Sequence, residues 1–457
     1  MSKMVFKSID PYTQKLLAEY PIMEDDQLER VINMAAQAFR KWKYFSFRQR
    51  AVVLQQVATI LRRDLETLST LISREMGKVI GEARGEVEKC AVTAEYYANH
   101  SSQFLIDETL DAGFSTSFVT YQPIGVVLGI MPWNFPFWQV FRYASPTLMA
   151  GNTTLLKHAP NVCGCAIALE KIFLEAGAPE GVFACVIIDT ETVEKILSSD
   201  TVQGVTLTGS EKAGSSVASL AGRFIKKSVM ELGGSDALIL LPDADMQTAV
   251  SVALQSRMLN AGQSCIGAKR FIVLQEAMPE FVQEFLMQLK RLKQGDPFDN
   301  SNTTGPMARP DLVNSLTKQL VNSVKMGAKL EYGGEVNDCN FKPALLLNVQ
   351  KGMPAFEEET FGPMAAVITA KNETDAIRLA NDSRFGLAGS VWTKDVDRGI
   401  AMARQLDTGA VFINTLVKSD PRLPFGGVKK SGYGRELGRH GILEFVNVKT
   451  IVAQSLK

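Results

Sequence analysis

The chain has 457 residues, 46% of them hydrophobic and 21% charged; it is too long for one ordinary core and suits two or three globular domains. Lysine plus arginine and aspartate plus glutamate number 49 each, so no broad field steers the molecule to nucleic acid or to an anionic membrane. An anionic substrate therefore needs a cation placed locally.

The opening MSKMVFKSIDPYTQK has no apolar run of the signal-peptide kind. From Leu28 on, Val31, Ile32, Ala35, Phe39 and Trp42 follow helical spacing, with Asp25 or Asp26 as the N-cap. A second helix is predicted from about Val52 to Met76 on Val53, Val57, Ile60, Leu61, Leu65, Leu68 and Ile72. Residues 115–122, STSFVTYQ, alternate like a strand. The most apolar stretch, IGVVLGIM at 124–131, stops at Pro132, far short of a bilayer span. It opens a series of short apolar runs: TTLLK (153–157), FACVII (183–188), GVTLTG (204–209), KSVMEL (227–232) and ALILL (237–241). A second series holds RFIVL (270–274), MAAVITA (364–370), GSVWT (389–393) and GAVFIN (409–414). Such runs with helices between them predict two α/β domains, each with a parallel sheet that binds ligands at the carboxyl ends of its strands.

The cysteines, Cys90, Cys163, Cys165, Cys185, Cys265 and Cys339, form no C-x-x-C pair, and Cys163-Gly164-Cys165 is too close for a zinc knuckle. The only histidines are His100, His158 and His440, too few for a zinc site or a histidine-based triad. No metal is expected, and scattered cysteines fit a reducing cytoplasm.

No G-x-G-x-x-G follows the first parallel strand. In its place LTGSEKAG sets Gly209 and Gly214 around a turn into a helix whose first amides suit a phosphate, although such glycines also simply shape loops. MPWNFPFW (131–138) brackets Trp133 and Asn134 between Pro132 and Pro136 at a strand's end; an asparagine fixed there can donate to an oxyanion, or merely form a turn. VMELGG (229–234) ends a strand with Glu231, a costly place for a carboxylate unless it is solvated or functional. LNAGQSCIGAKR (259–270) holds Cys265, either a core filler or a nucleophile.

Asn134 in PWNFP, Gly209 and Ser210 in LTGS, Glu231 in ELGG, Cys265 in GQSC, Glu359 to Pro363 in ETFGP, Asn414 in FIN and PFGGVKKSGYGRE (424–436) occur in that order. The set resembles the aldehyde dehydrogenase superfamily from about residue 8 onward. The resemblance implies Cys265 as nucleophile, Asn134 as oxyanion donor and Glu231 as general base, with a thiohemiacetal and then a thioester on Cys265. Gly262 and Gly267 are expected to let the cofactor and substrate approach the backbone. Pro132, Trp133, Lys157, Gly209, Ser210, Gly233, Glu359 and Phe361 are implied to hold the cofactor. NAD-preferring members carry a glutamate three residues after the lysine; Pro160 stands there, so NADP is expected beside NAD.

KHAPN and FINTLVKSDPRLPFGGVKKSG resemble bacterial succinate semialdehyde dehydrogenases. Arg142 would hold the substrate carboxylate, or else form a structural ion pair. If Asn134 and Arg142 share one helix, eight residues leave them roughly 80° apart around it. The second arginine of better-known members is replaced by Leu259, so help is expected from Ser419 or Arg422. The expected reaction is oxidation of succinate semialdehyde; the alternatives are a broad-specificity non-phosphorylating aldehyde dehydrogenase and a non-catalytic protein that kept the fold. The resemblance further implies a cofactor-binding domain at 1–108 and 123–232, a catalytic domain at 233–436, and a small β oligomerisation arm at 109–122 and 437–457. The strand at 449–456 is expected to help build a homodimer or homotetramer.

Overall fold

The computed structural model describes residues 5–455; the remaining ends of the expected domain bounds, and Leu456 at the end of the expected terminal strand, lie outside the described residues.

The first helix, Asp25–Trp42, starts at Glu24, whose side chain and that of Gln27 close a capping box, and it buries Leu28, Ile32, Ala35, Ala38 and Trp42. The single helix expected at 52–76 is two, Phe47–Arg63 and Leu65–Met76, broken at Asp64. Their apolar stripes run into one core that includes Leu61, Leu68 and Ile72, so the periodicity carries across the break and hides it. The long helix Ile80–Phe104 packs along both Phe47–Arg63 and Trp138–Met149.

The first sheet has six strands in the order Gly432–Tyr433, Lys227–Glu231, Val202–Thr208, Val126–Met131, Thr153–His158 and Phe183–Cys185. All pairings are parallel except that of Gly432–Tyr433. The second has seven: Lys329–Tyr332, Ala344–Leu347, Met364–Ala370, Arg270–Leu274, Ala237–Leu240, Ala388–Trp392 and Ala410–Ile413. The central strands, such as Thr153–His158, Ala237–Leu240 and Arg270–Leu274, are buried throughout and read as apolar runs.

Three features differ from expectation. ALILL, placed above in the first series, pairs with Arg270–Leu274 and Ala388–Trp392 and so belongs to the second sheet. The second sheet is mixed, since Lys329–Tyr332 joins antiparallel; none of its four residues is buried, so there was no apolar run to read. Gly432–Tyr433 returns to the first sheet against Glu231 and Met230. Only glycine permits that return: Gly432 has φ +108°, and a Cβ there would collide with the Met230 carbonyl.

A separate three-stranded antiparallel sheet holds Val446–Ala453, Thr116–Pro123 and Glu108–Thr109. Among the described residues no helix is long and apolar enough to cross a membrane, and no three histidine, cysteine, aspartate or glutamate side chains are grouped to hold a metal.

Candidate active site

Beyond the carboxyl ends of Val126–Met131 and Val202–Thr208 lies a cavity of about 460 Å³. Pro132, Trp133, Asn134, Gly209, Ser210, Gly233, Glu359 and Phe361 line it, together with Ala159, Pro160 and Arg309. A second cavity of about 260 Å³ has an apolar wall of Phe135, Trp138, Leu259, Ile266, Leu416, Val417 and Phe425, and its polar members include Glu82, Glu86, Lys89, Arg142, Lys418 and Ser419. Cys265 and Gln139 line both. The thiol therefore stands where two chambers meet.

The Cys265 loop is held from many sides. After the helix Met246–Met258, Asn260, Ala261 and Gly262 take successive left-handed conformations, φ 55°, 51° and 73°. Asn260 Nδ2 donates to the Asn134 carbonyl at 2.7 Å, and its N–H donates to the Glu82 carboxylate. Lys269, wholly buried, donates to the carbonyls of Ser264, Cys265 and Gly267, and Arg257 donates to Gly262. Strained backbone persists only where its surroundings over-determine it. The two loop glycines, expected above to admit cofactor and substrate, face the protein's own backbone. A Cβ on Gly262 would strike the Gly362 backbone, and one on Gly267 would lie 3.0 Å from the Ser256 carbonyl, so both allow the chain to pack on itself. Gly214 likewise packs its helix, with Leu232 where a Cβ would go.

Asn134 lies in the loop before the helix Trp138–Met149, not on it, so the helical angle to Arg142 does not apply. Its Nδ2 donates to the Gln263 carbonyl at 3.0 Å, which leaves a second amide hydrogen for a ligand. Burial pushes the Cys265 thiol up to about 11, against the pull of Arg142 and Lys269. Glu231 lines neither cavity. It is 2% exposed, and neither carboxyl oxygen has a hydrogen-bond partner. Burial raises its pKa well above the usual carboxylate value, against the opposing pull of Arg142.

In the larger cavity Ser210 caps the helix Glu211–Arg223, accepting from the Ala213 N–H at 3.3 Å. The other amides of that first turn remain for an anion. Glu359 accepts from the Gly234 N–H at 3.1 Å and lies 3.7 Å from Lys269; its carboxylate occupies the space a side chain on Gly233 would need. Trp133 and Phe361 meet edge to face at 5.8 Å, and the Arg309 guanidinium lies 5.4 Å from the Trp133 ring. Lys157 is buried at the end of its strand, outside the lining residues, and its ammonium has no hydrogen bond or ion pair among the described residues. Apolar walls, a helix N-terminus and edge-on aromatics fit a dinucleotide.

The residues proposed for the substrate divide. Ser419 lines the smaller cavity. Arg142 lines it too, but it is 1% exposed and already engaged: it ion-pairs with Glu436, donates to Thr208 Oγ1 at 3.1 Å and lies 4.4 Å from the Phe425 ring centroid. Arg422 is brought nowhere near; its exposed guanidinium is chelated by Asp420 at 2.8 and 2.6 Å, two residues away in sequence. Sequence reading missed Lys269, Arg309, Glu86 and Lys89. The spacing of Glu82, Glu86 and Lys89 on one helical face was the available signal for the last two.

The aldehyde dehydrogenase family model matches residues 1–451. The chain belongs to the aldehyde dehydrogenase family. This aldehyde dehydrogenase is 44% identical over 451 residues to a probable succinate-semialdehyde dehydrogenase (NADP(+)) of Synechocystis sp., covering 98% of this chain and 99% of the relative. It is 43% identical over 447 residues to a succinate semialdehyde dehydrogenase (NAD(P)+) of Escherichia coli, covering 97% of each. Among solved structures it matches succinic semialdehyde dehydrogenase from Streptococcus pyogenes in complex with NADP+, with a TM-score of 0.96 and 37% identity, over 98% of this chain and 100% of that one. The α/β architecture with two sheets and a small antiparallel arm is that of aldehyde dehydrogenases of known structure.

Proposed function

We propose that this aldehyde dehydrogenase oxidises succinate semialdehyde to succinate with NADP, and also accepts NAD. The observation that carries the reading is the placement of Cys265 at the junction of a dinucleotide-sized cavity and a smaller, mostly apolar one with cationic groups on its wall.

Cys265 Sγ adds to the aldehyde carbon, and its proton leaves to solvent or base. Asn134 Nδ2 and the Cys265 N–H hold the resulting oxyanion, and losing such a donor costs about 100- to 1,000-fold in rate. A nicotinamide cofactor held in the larger cavity would supply the hydride acceptor, so that loss of hydride from the thiohemiacetal carbon leaves a thioester on Cys265. The thioester on Cys265 is then hydrolysed by a water that Glu231 deprotonates after turning toward the thiol from its buried resting place. Glu359 and Phe361 would orient the nicotinamide end, Trp133 and Ser210 would hold the adenosine side, and Lys157, behind the lining residues, would add positive charge there. Pro160 offers no acid to repel a 2′-phosphate, which supports NADP.

The same reading assigns cofactor binding to 1–108 and 123–232, catalysis to 233–436, and oligomerisation to 109–122 and 437–457, in a cytoplasmic homodimer or homotetramer. The test is an aldehyde panel with both cofactors. Succinate semialdehyde is expected to exceed butanal in kcat/KM by about 100-fold, and NADP to support turnover within a thousandfold of NAD. Equal use of the two aldehydes overturns the substrate; NADP a thousandfold below NAD overturns the cofactor.

A further inference from the structure

We infer that Lys89, with Ser419 beside it, receives the substrate's distal carboxylate and sets the preference for an acidic aldehyde. The inference rests on the substrate reading above and names the group that carries it.

Lys89 projects from the helix Ile80–Phe104 into the wall of the smaller cavity. Its Nζ donates to Ser419 Oγ at 2.8 Å and lies 4.0 Å from the Trp138 ring centroid. Among the described residues it has no ion pair, and the nearby acids are committed elsewhere. Glu86 pairs with buried Lys78 and accepts the Phe137 and Trp138 N–H groups at 2.9 and 3.0 Å. Asp420 is chelated by Arg422, and Glu82 accepts from Asn260. Burial, with the Arg142 charge behind it, pushes the Lys89 ammonium down to about 8.

A desolvated cation left with a hydroxyl and an aromatic face is electrostatically incomplete, and a carboxylate completes it. The other cations of the wall do not offer this. Arg142 is already neutralised by Glu436, and Lys418 is exposed at the rim. Leu259, where related enzymes have an arginine, contributes only apolar surface.

The test compares kcat/KM for succinate semialdehyde with that for butanal in the wild type, Lys89→Met and Lys89→Arg. Lys89→Met keeps the length and the apolar stem, and turnover of butanal reports that it has folded. The ratio is expected to fall about 10- to 100-fold in Lys89→Met, through KM rather than kcat, and to recover partly in Lys89→Arg. Succinate, as an unreactive competitor of butanal, should lose inhibitory strength in Lys89→Met by a similar factor. A wild-type ratio near one overturns the substrate reading itself. A high wild-type ratio that survives Lys89→Met, with succinate inhibition intact, overturns the role of Lys89 and leaves the substrate reading standing.

Discussion

At the residue scale, burial shifts the two acid–base groups closest to the proposed chemistry upward. Cys265, pushed up to about 11 by burial, is a thiol throughout the neutral range, and Glu231 is a buried acid. The thiolate is the reactive species, and its fraction grows tenfold per pH unit below the pKa. Alkylation of Cys265 by iodoacetamide in the cofactor-free protein should therefore still be climbing about tenfold per unit between pH 8 and 10. A plateau by pH 8.5 would contradict the burial effect. Cys265→Ser should abolish the fast labelling, because the other five cysteines are buried. Residues in short motifs were legible in the sequence: Cys265, Asn134, Ser210 and Phe361 all line the larger cavity. Arg422 was not, because its partner Asp420 turns it outward, and a charge near the site in sequence says nothing of which way it points.

At the element scale, the helix Trp138–Met149 owes its placement to a carboxylate from another helix. Glu86 accepts the N–H groups of Phe137 and Trp138 with one oxygen and pairs with Lys78 through the other. Lys78 in turn lies 3.8 Å from the Phe135 ring centroid, in the loop that carries Asn134. Glu86→Ala would strand a buried ammonium and unsatisfied helix amides, costing about 3–5 kcal/mol in urea unfolding. Glu86→Gln, which keeps an acceptor, should cost less. Equal stability of Glu86→Ala and wild type would show that the pair contributes nothing. Element positions in the parallel sheets were readable from apolar runs; the break at Asp64 was not, because the two helices share one continuous apolar stripe.

At the scale of the whole molecule, the terminal strand Val446–Ala453 forms one edge of the three-stranded arm, with Val448 59% and Val452 45% exposed on one face. Alternating exposed valines on a free edge suit pairing with a second copy, the contact proposed above for the oligomer. Replacing both Val448 and Val452 by lysine should lower the sedimenting mass toward that of one chain. An unchanged mass removes the arm from the interface.

The sequence by itself determined the family, the α/β class and the order of the motifs around Cys265, because these depend on residue type and spacing within short windows. Tertiary structure alone decided which cations of the smaller cavity are paired and with what. Arg142 finds Glu436 294 residues away, and Lys89 finds Ser419 330 residues away. The charge balance of a buried site sums groups from segments that only folding brings together, and no local window of the chain contains that sum.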